Sequence, residues 1–187
     1  MSHVASDQGL YFIAVIPTDP VLNDAQNWKE YFANTYNSKA SLNSPPHITL
    51  HMPFKCKLKK EQALIESLTS VAMQTSPFDL GIHGFDAFPP RAIFLKVRKN
   101  ENLTQLNHDI HQVMKTQFNI FNADYRNHPF KPHITLAFRD LKKDKFEPAW
   151  QEFGSKPYHE GSLVDQFWLL KHDGKKWEKL VQFSLNE

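Results

Sequence analysis

Cysteine occurs once, at Cys56, in a chain of 187 residues. That excludes an internal disulfide, and no Cys-x-x-Cys or Cys/His spacing is left for a structural zinc site. A single thiol suits a reducing compartment, and Cys56 reads as an ordinary small residue after a strand. Long apolar runs are also missing. Leu10–Ile16 is too short for a secretory segment, and nothing approaches a membrane span. Excess charge of one sign is absent: 22 Lys and Arg against 20 Asp and Glu leave a net +2. There is thus no polybasic tail for nucleic acid, although a local basic cleft stays open. No low-complexity stretch or linker divides the chain. These absences lead us to expect a cytoplasmic protein without a membrane partner. We expect one bilobal domain over residues 1–187, a monomer, with residues 1–9 a flexible tail.

The hydrophobic fraction of 41%, with 13% aromatics, supplies a sizeable core. Within it one word occurs twice. Pro46-His47-Ile48-Thr49-Leu50 returns as Pro132-His133-Ile134-Thr135-Leu136, 86 residues later. Repetition at nearly half the chain length suggests two copies of one structural unit. As strands, each copy alternates its faces, so His and Thr share one side while Ile and Leu take the other. The prolines stiffen the entry to each strand. Two such units about a pseudo-twofold axis bring two histidines and two hydroxyls to one cleft.

The surrounding pattern fits two similar halves. Leu10–Ile16 reads as a buried strand, followed by a helix to Tyr36 carrying Leu22, Ala25, Trp28 and Phe32 inward. Pro53 is expected to close the first His-Thr strand. A helix follows from Leu58 to about Met73, then strands at Phe78–Phe85 and Ala92–Val97. Glu101–Phe118 reads as a helix. A further helix over Lys142–Phe153 is weakened by Pro148, and Leu163–Leu170 with Trp177–Leu185 forms a hairpin. The fold class expected is α+β, with two pseudo-symmetric lobes flanking a central cleft.

Two imidazoles can act as general base and general acid in one reaction near neutral pH. Two threonine hydroxyls can hold the non-bridging oxygens of a phosphate. Together they describe phosphodiester cleavage without a metal or other cofactor. The paired words resemble those of the 2H phosphoesterase superfamily, which includes the 2′-5′ RNA ligase (LigT-like) proteins and cyclic phosphodiesterases. Tyr11–Pro17 is similar to the first strand of that family. Phe85–Leu95 is similar to its Phe-Pro and Pro-Arg segment, with Phe94 in place of the usual tryptophan. The resemblance implies an antiparallel sheet in each lobe with helices on the outer face. It implies His47 and His133 as the catalytic pair, in either order, and Thr49 and Thr135 as phosphate-binding residues. The substrates implied are RNA ends or small nucleotides with a 2′,3′-cyclic phosphate, a related cyclic phosphate or a 2′-5′ linkage. Reversal of the reaction would join ends.

Arg91, Arg139, His51, Lys131 and Tyr11 are further candidates for substrate contact. Arg139, Lys131 and His51 share the parity of the His-Thr faces, and Arg91 follows the Pro89-Pro90 turn. Tyr11 and Phe94 are candidate stacking platforms, with core packing the plainer alternative. His108 and His111 can share a helix face but lack a third ligand. The lysines from Lys55 to Lys60 and from Lys142 to Lys145 read as solvated helix starts. Two rival functions remain: an RNA-end or nucleotide-binding module with little catalysis, and a metallohydrolase built on His47, His51 and His133. A histidine-triad nucleotide hydrolase is excluded, because Thr49 stands between His47 and His51.

Overall fold

The computed structural model describes residues 7–121 and 129–186. Its elements in order are β1 (Gln8–Val15), α1 (Val21–Tyr36), β2 (Ile48–Lys57), α2 (Glu61–Ala72), β3 (Phe78–Phe88), β4 (Ala92–Val97), α3 (Glu101–Phe118), β5 (His133–Ala137), α4 (Lys143–Phe153), β6 (His159–Val164), β7 (Gln166–His172) and β8 (Trp177–Ser184). The eight strands form one antiparallel sheet in the order β6-β3-β4-β5-β2-β1-β7-β8.

The repeated words make the centre of that sheet. β2 and β5 pair antiparallel with Ile48 opposite Ile134. Each lobe is a half-sheet that ends at this seam: β6-β3-β4-β5 on one side, β2-β1-β7-β8 on the other. The halves exchange elements. β3 follows the first His-Thr strand in sequence but joins β4 in the second lobe, and the β7–β8 pair returns to β1 in the first. The helices cross over too: α1 packs against β5 and α3 against β2. Only Asp165 separates β6 from β7, the first and seventh strands in spatial order. The sheet therefore curls until these two strands meet.

Helix faces follow the sequence. In α1 the inward stripe is Val21, Ala25, Lys29, Phe32 and Ala33, which places a lysine where an apolar residue belongs. α3 starts at Asn100, whose side-chain oxygen accepts from the Leu103 N–H. Both α1 and α3 end in a left-handed asparagine, at Asn37 and Asn119. Pro148 sits in the second turn of α4, which persists because Phe146, Ala149 and Phe153 are buried. The helix-side core includes Ile48, Leu50, Ile134 and Leu136, all at most 1% exposed. Burying each stabilises the seam by roughly 1.5–3 kcal/mol.

Several local expectations shift. The sheet begins at Gln8, paired with Lys57, so two residues of the expected tail are structured. Residues 1–6, the rest of that tail except Asp7, lie outside the described range, and His3 with them; His128 lies outside it too. Pro53 does not close β2. It sits where β2 carries an extra residue against β1, between the Tyr11–Phe54 and Ile13–His51 pairs. A bulge tolerates a residue with no N–H to donate. Cys56 is accordingly buried within the strand. Leu163 and Val164 belong to β6 rather than to the β7–β8 hairpin, because the chain switches sheet edge at Asp165.

Candidate active site

Continuing the Ile48–Ile134 register by one residue sets His47 across from Thr135 and Thr49 across from His133. These four side chains occupy the face opposite the two isoleucines. Directly opposed residues approach closely, and diagonal ones such as His47 and His133 stand roughly 7–8 Å apart at their backbones. That leaves room for a phosphate between the rings.

The two histidines are held alike. The Nδ1–H of His47 donates to the Pro45 carbonyl at 2.8 Å, and that of His133 donates to the Lys131 carbonyl at 2.8 Å. Each acceptor lies two residues upstream, on the chain that the following proline constrains. A carbonyl can only accept, so the bond fixes the tautomer and leaves Nε2 with its lone pair for chemistry. Each ring also rests on a phenylalanine. Phe12 meets His47 at 4.8 Å and 49°, and Phe94 meets His133 at 4.7 Å and 50°. The packing repeats as faithfully as the sequence does.

Burial pushes His47 down to about 4, with the charges of Lys29 and His133 adding and the Pro45 carbonyl opposing. Burial also lowers His133, with Lys131 adding and its own carbonyl bond opposing. Burial therefore favours the neutral form of both imidazoles in the free protein.

Two cavities flank the quartet and share Thr49. One, of about 400 Å³, is lined by His47, Thr135, Lys29, Ser41, Arg139 and Trp177 among others. The other, of about 430 Å³, holds His133, Lys131, Phe88, Met52 and Phe130. Arg139 lines the cavity on the His47 side. It adopts φ 59°, a left-handed conformation that costs a non-glycine residue about 1–3 kcal/mol and clusters at functional sites. Lys131 lies beside His133, its ammonium 3.0 Å from Asp86. Phe94 forms the floor beneath His133 rather than an open stacking surface, at 1% exposure.

Three candidates stand elsewhere. Tyr11 is fully buried in the helix-side core, its hydroxyl donating to Glu61 and its ring against Phe54. Its neighbour Phe12 takes the cleft face instead. Arg91 is exposed on the β3–β4 turn and lines neither cavity. His51 is turned away from His47, because β2 carries an extra residue at Leu50 and the alternation slips by one. It packs against His111 at 5.1 Å in a separate cavity bordered by α3. The metallohydrolase set of His47, His51 and His133 is therefore not assembled. His108, exposed beside Asp109, lines that same cavity with His111. Among the described residues no group of three or more His, Cys, Asp or Glu side chains is placed to hold a metal.

Burial also pushes His51 down to about 4. Its folded value lies below the unfolded one near 6.5, so the neutral form is favoured by folding. That contribution is present above pH 6.5 and is lost as pH falls toward 4, on the order of 3 kcal/mol. Urea unfolding between pH 7 and 4.5 should show a shallower loss of stability in His51→Leu than in the parent; equal slopes would refute this.

Lys29 escaped the sequence reading, although a lysine on the 21-25-29-32 stripe was the available signal. It is 1% exposed, donates to the Ser44 carbonyl at 2.6 Å, and is drawn down to about 7 by burial. Trp177 and His172, also unflagged, wall the same cavity. The indole stands edge-on to Phe12 at 4.7 Å and meets His172 at 4.9 Å.

Fold and site define a two-lobed α+β protein whose duplicated His-x-Thr strands meet at one cleft. The family model described as the 2′-5′ RNA ligase superfamily matches residues 17–176. The chain belongs to that superfamily, the 2H phosphoesterases. It is 29% identical over 178 residues to a protein of Oceanobacillus iheyensis, covering 94% of this chain and 97% of the relative. It is 30% identical over 162 residues to one from Geobacillus, covering 86% of each. Both relatives are named, provisionally, as phosphoesterases. Among solved structures it superposes on TT0787 of Thermus thermophilus with TM-score 0.71, at 20% identity, over 94% of this chain and 97% of the other. The E. coli LigT complex with 3′-AMP gives TM-score 0.71 at 19% identity, over 96% and 99%. At that identity the likeness carries the fold. No helix among the described residues is long and apolar enough to cross a membrane.

Proposed function

We propose that the chain is a metal-independent phosphoesterase that opens 2′,3′-cyclic phosphates at RNA ends or on nucleotides. The observation that carries this is the cross-strand quartet: two imidazoles whose Nε2 atoms have no partner among the described residues, each opposite a threonine hydroxyl. Thr49 and Thr135 donate to the non-bridging oxygens, where charge develops in the transition state. One histidine takes a proton from water as its oxygen bonds to phosphorus. The other gives a proton to the ribose oxygen as the ring P–O bond breaks. The products are a phosphomonoester and a free hydroxyl, and the histidines have exchanged protonation states. With an RNA 5′-hydroxyl as the species released or attacking, the same chemistry run on a 2′-5′ linkage accounts for cleavage and joining.

The phosphoesterase names of the relatives and the 3′-AMP bound to LigT support a nucleotide phosphate as substrate. The test is turnover of a panel of nucleoside 2′,3′-cyclic phosphates by chelator-treated protein. Rates should stay within about twofold when EDTA is added, since acid, base and oxyanion donors are all side chains. Activity that disappears with chelator and returns with zinc would replace this mechanism with a metal-dependent one. A folded protein that binds the panel without turnover would be a nucleotide-binding module.

A further inference from the structure

The two sides of the cleft are alike in their reacting residues and unlike in charge. On the His133 side the ammonium of Lys131 is paired with Asp86 and lies over the Phe88 ring at 4.9 Å. The rest of that wall is largely apolar. On the His47 side Lys29 is buried with no carboxylate partner among the described residues, and its ammonium meets one acceptor, the Ser44 carbonyl. Ammonium carries three donors, and a buried cation without a counter-ion is costly. Ser41 lines the same cavity at 2% exposure, and its buried hydroxyl has no hydrogen-bond partner among the described residues. Buried polar groups are normally satisfied, so both residues are set for an anion that arrives with a ligand.

The scaffold fixes them there. Lys29 is held by the inward stripe of α1. Ser41 lies on the short helical turn Ala40–Asn43, whose entry is tied down by Asp140. One Asp140 oxygen accepts from Ser38 Oγ at 2.9 Å, and the other accepts from the N–H groups of Lys39 and Ala40. That carboxylate is already engaged. Arg139 at the same cavity adds a second cation.

We propose that Lys29 and Ser41 form a second phosphate subsite, which takes a phosphate on the substrate other than the one that reacts. The substrate is then a nucleotide end that also carries a 5′-phosphate or an adjoining phosphodiester. The proposal rests on the cyclic-phosphate reading only for where the first phosphate sits. It assigns the apolar His133 side to the uncharged part of the ligand.

The experiment is calorimetric titration with adenosine 3′-monophosphate and adenosine 3′,5′-bisphosphate, run on the parent, Lys29→Met and Ser41→Ala. Methionine preserves the buried stem of the lysine and removes its charge. The parent should bind the bisphosphate about 10- to 100-fold more tightly, the scale of a charge-assisted hydrogen bond. That ratio should fall to within about twofold of unity in Lys29→Met and decrease in Ser41→Ala. Equal binding of both nucleotides by the parent would overturn the subsite. So would a Lys29→Met variant that weakens both nucleotides equally, since the lysine would then serve the reacting phosphate. If Lys29→Met does not fold, an unchanged ratio in Ser41→Ala overturns the subsite and a reduced one supports it. The ratio needs no turnover, so it is separable from the activity. A parent that shows the ratio but cleaves no cyclic phosphate refutes the proposed reaction and upholds the subsite.

Discussion

His47→Ala and His133→Ala should each slow hydrolysis of nucleoside 2′,3′-cyclic phosphates by about 10²- to 10⁴-fold, the range for losing a positioned acid or base. In the proposed reaction, water attack and departure of the ribose oxygen are parts of one displacement, and each needs its own proton transfer. Losing either partner therefore exposes the same barrier. The double variant should fall little further than the slower single one, because residues that act as a unit are far from additive. Both rings rest on buried phenylalanines and donate to carbonyls, so truncation also leaves a gap. Thermal unfolding of each variant separates that effect from chemistry. Binding of adenosine 3′-monophosphate should persist in both variants through Thr49 and Thr135. Either variant retaining more than about a tenth of the parent rate while folded would remove that histidine from the reaction.

The duplicated word made the centre of this protein legible in the sequence. Identical residues at half-chain spacing can be satisfied by a pseudo-twofold seam, and β2 meets β5 there. The helix Glu101–Phe118 and the strand Ala92–Val97 were legible to the residue, one from its apolar spacing, the other from its β-branched and apolar run. Faces were not always legible. Tyr11 and Phe12 lie in a run that is apolar on both sides of the sheet, so alternation carried no information there. His51 was placed by counting parity, and counting fails across a bulge that only the pairing with β1 creates. The switch of sheet edge at Asp165 is likewise a product of tertiary pairing, invisible to local pattern. Lys29 was hidden for another reason: one charged residue on an apolar stripe is usually a snorkelling side chain at the edge. Here its burial depends on the Ser44 carbonyl, supplied by the loop before His47.

The largest pH effect should appear in kcat/KM, and its sign follows from the two depressed histidines. The proposed mechanism requires one to be neutral and the other charged in the free enzyme that reacts. His47 lies near 4 and His133 below its usual 6.5, so the charged partner becomes scarce above that range. The alkaline limb of kcat/KM should therefore lie below pH 6.5. Activity should drop about tenfold per unit above it, at least ~10²-fold between the optimum and pH 8.5. The two values belong to the pair, because the charge on one imidazole lowers the other. Substrate changes the balance. A phosphate anion about 4 Å from an imidazolium contributes roughly 4 kcal/mol at an effective dielectric of 20, up to about three pK units before the water it displaces is counted. The alkaline limb of kcat, which reports the complex, should consequently sit above that of kcat/KM by about 1–3 units. Initial rates from about pH 5 to 9 on one cyclic phosphate give both curves. A kcat/KM that is flat or rising from about pH 6.5 to 9 would mean that no protonated histidine is needed. The acid would then have to be a group that stays charged at high pH, such as an arginine on the cleft wall, and the two-histidine mechanism would fail.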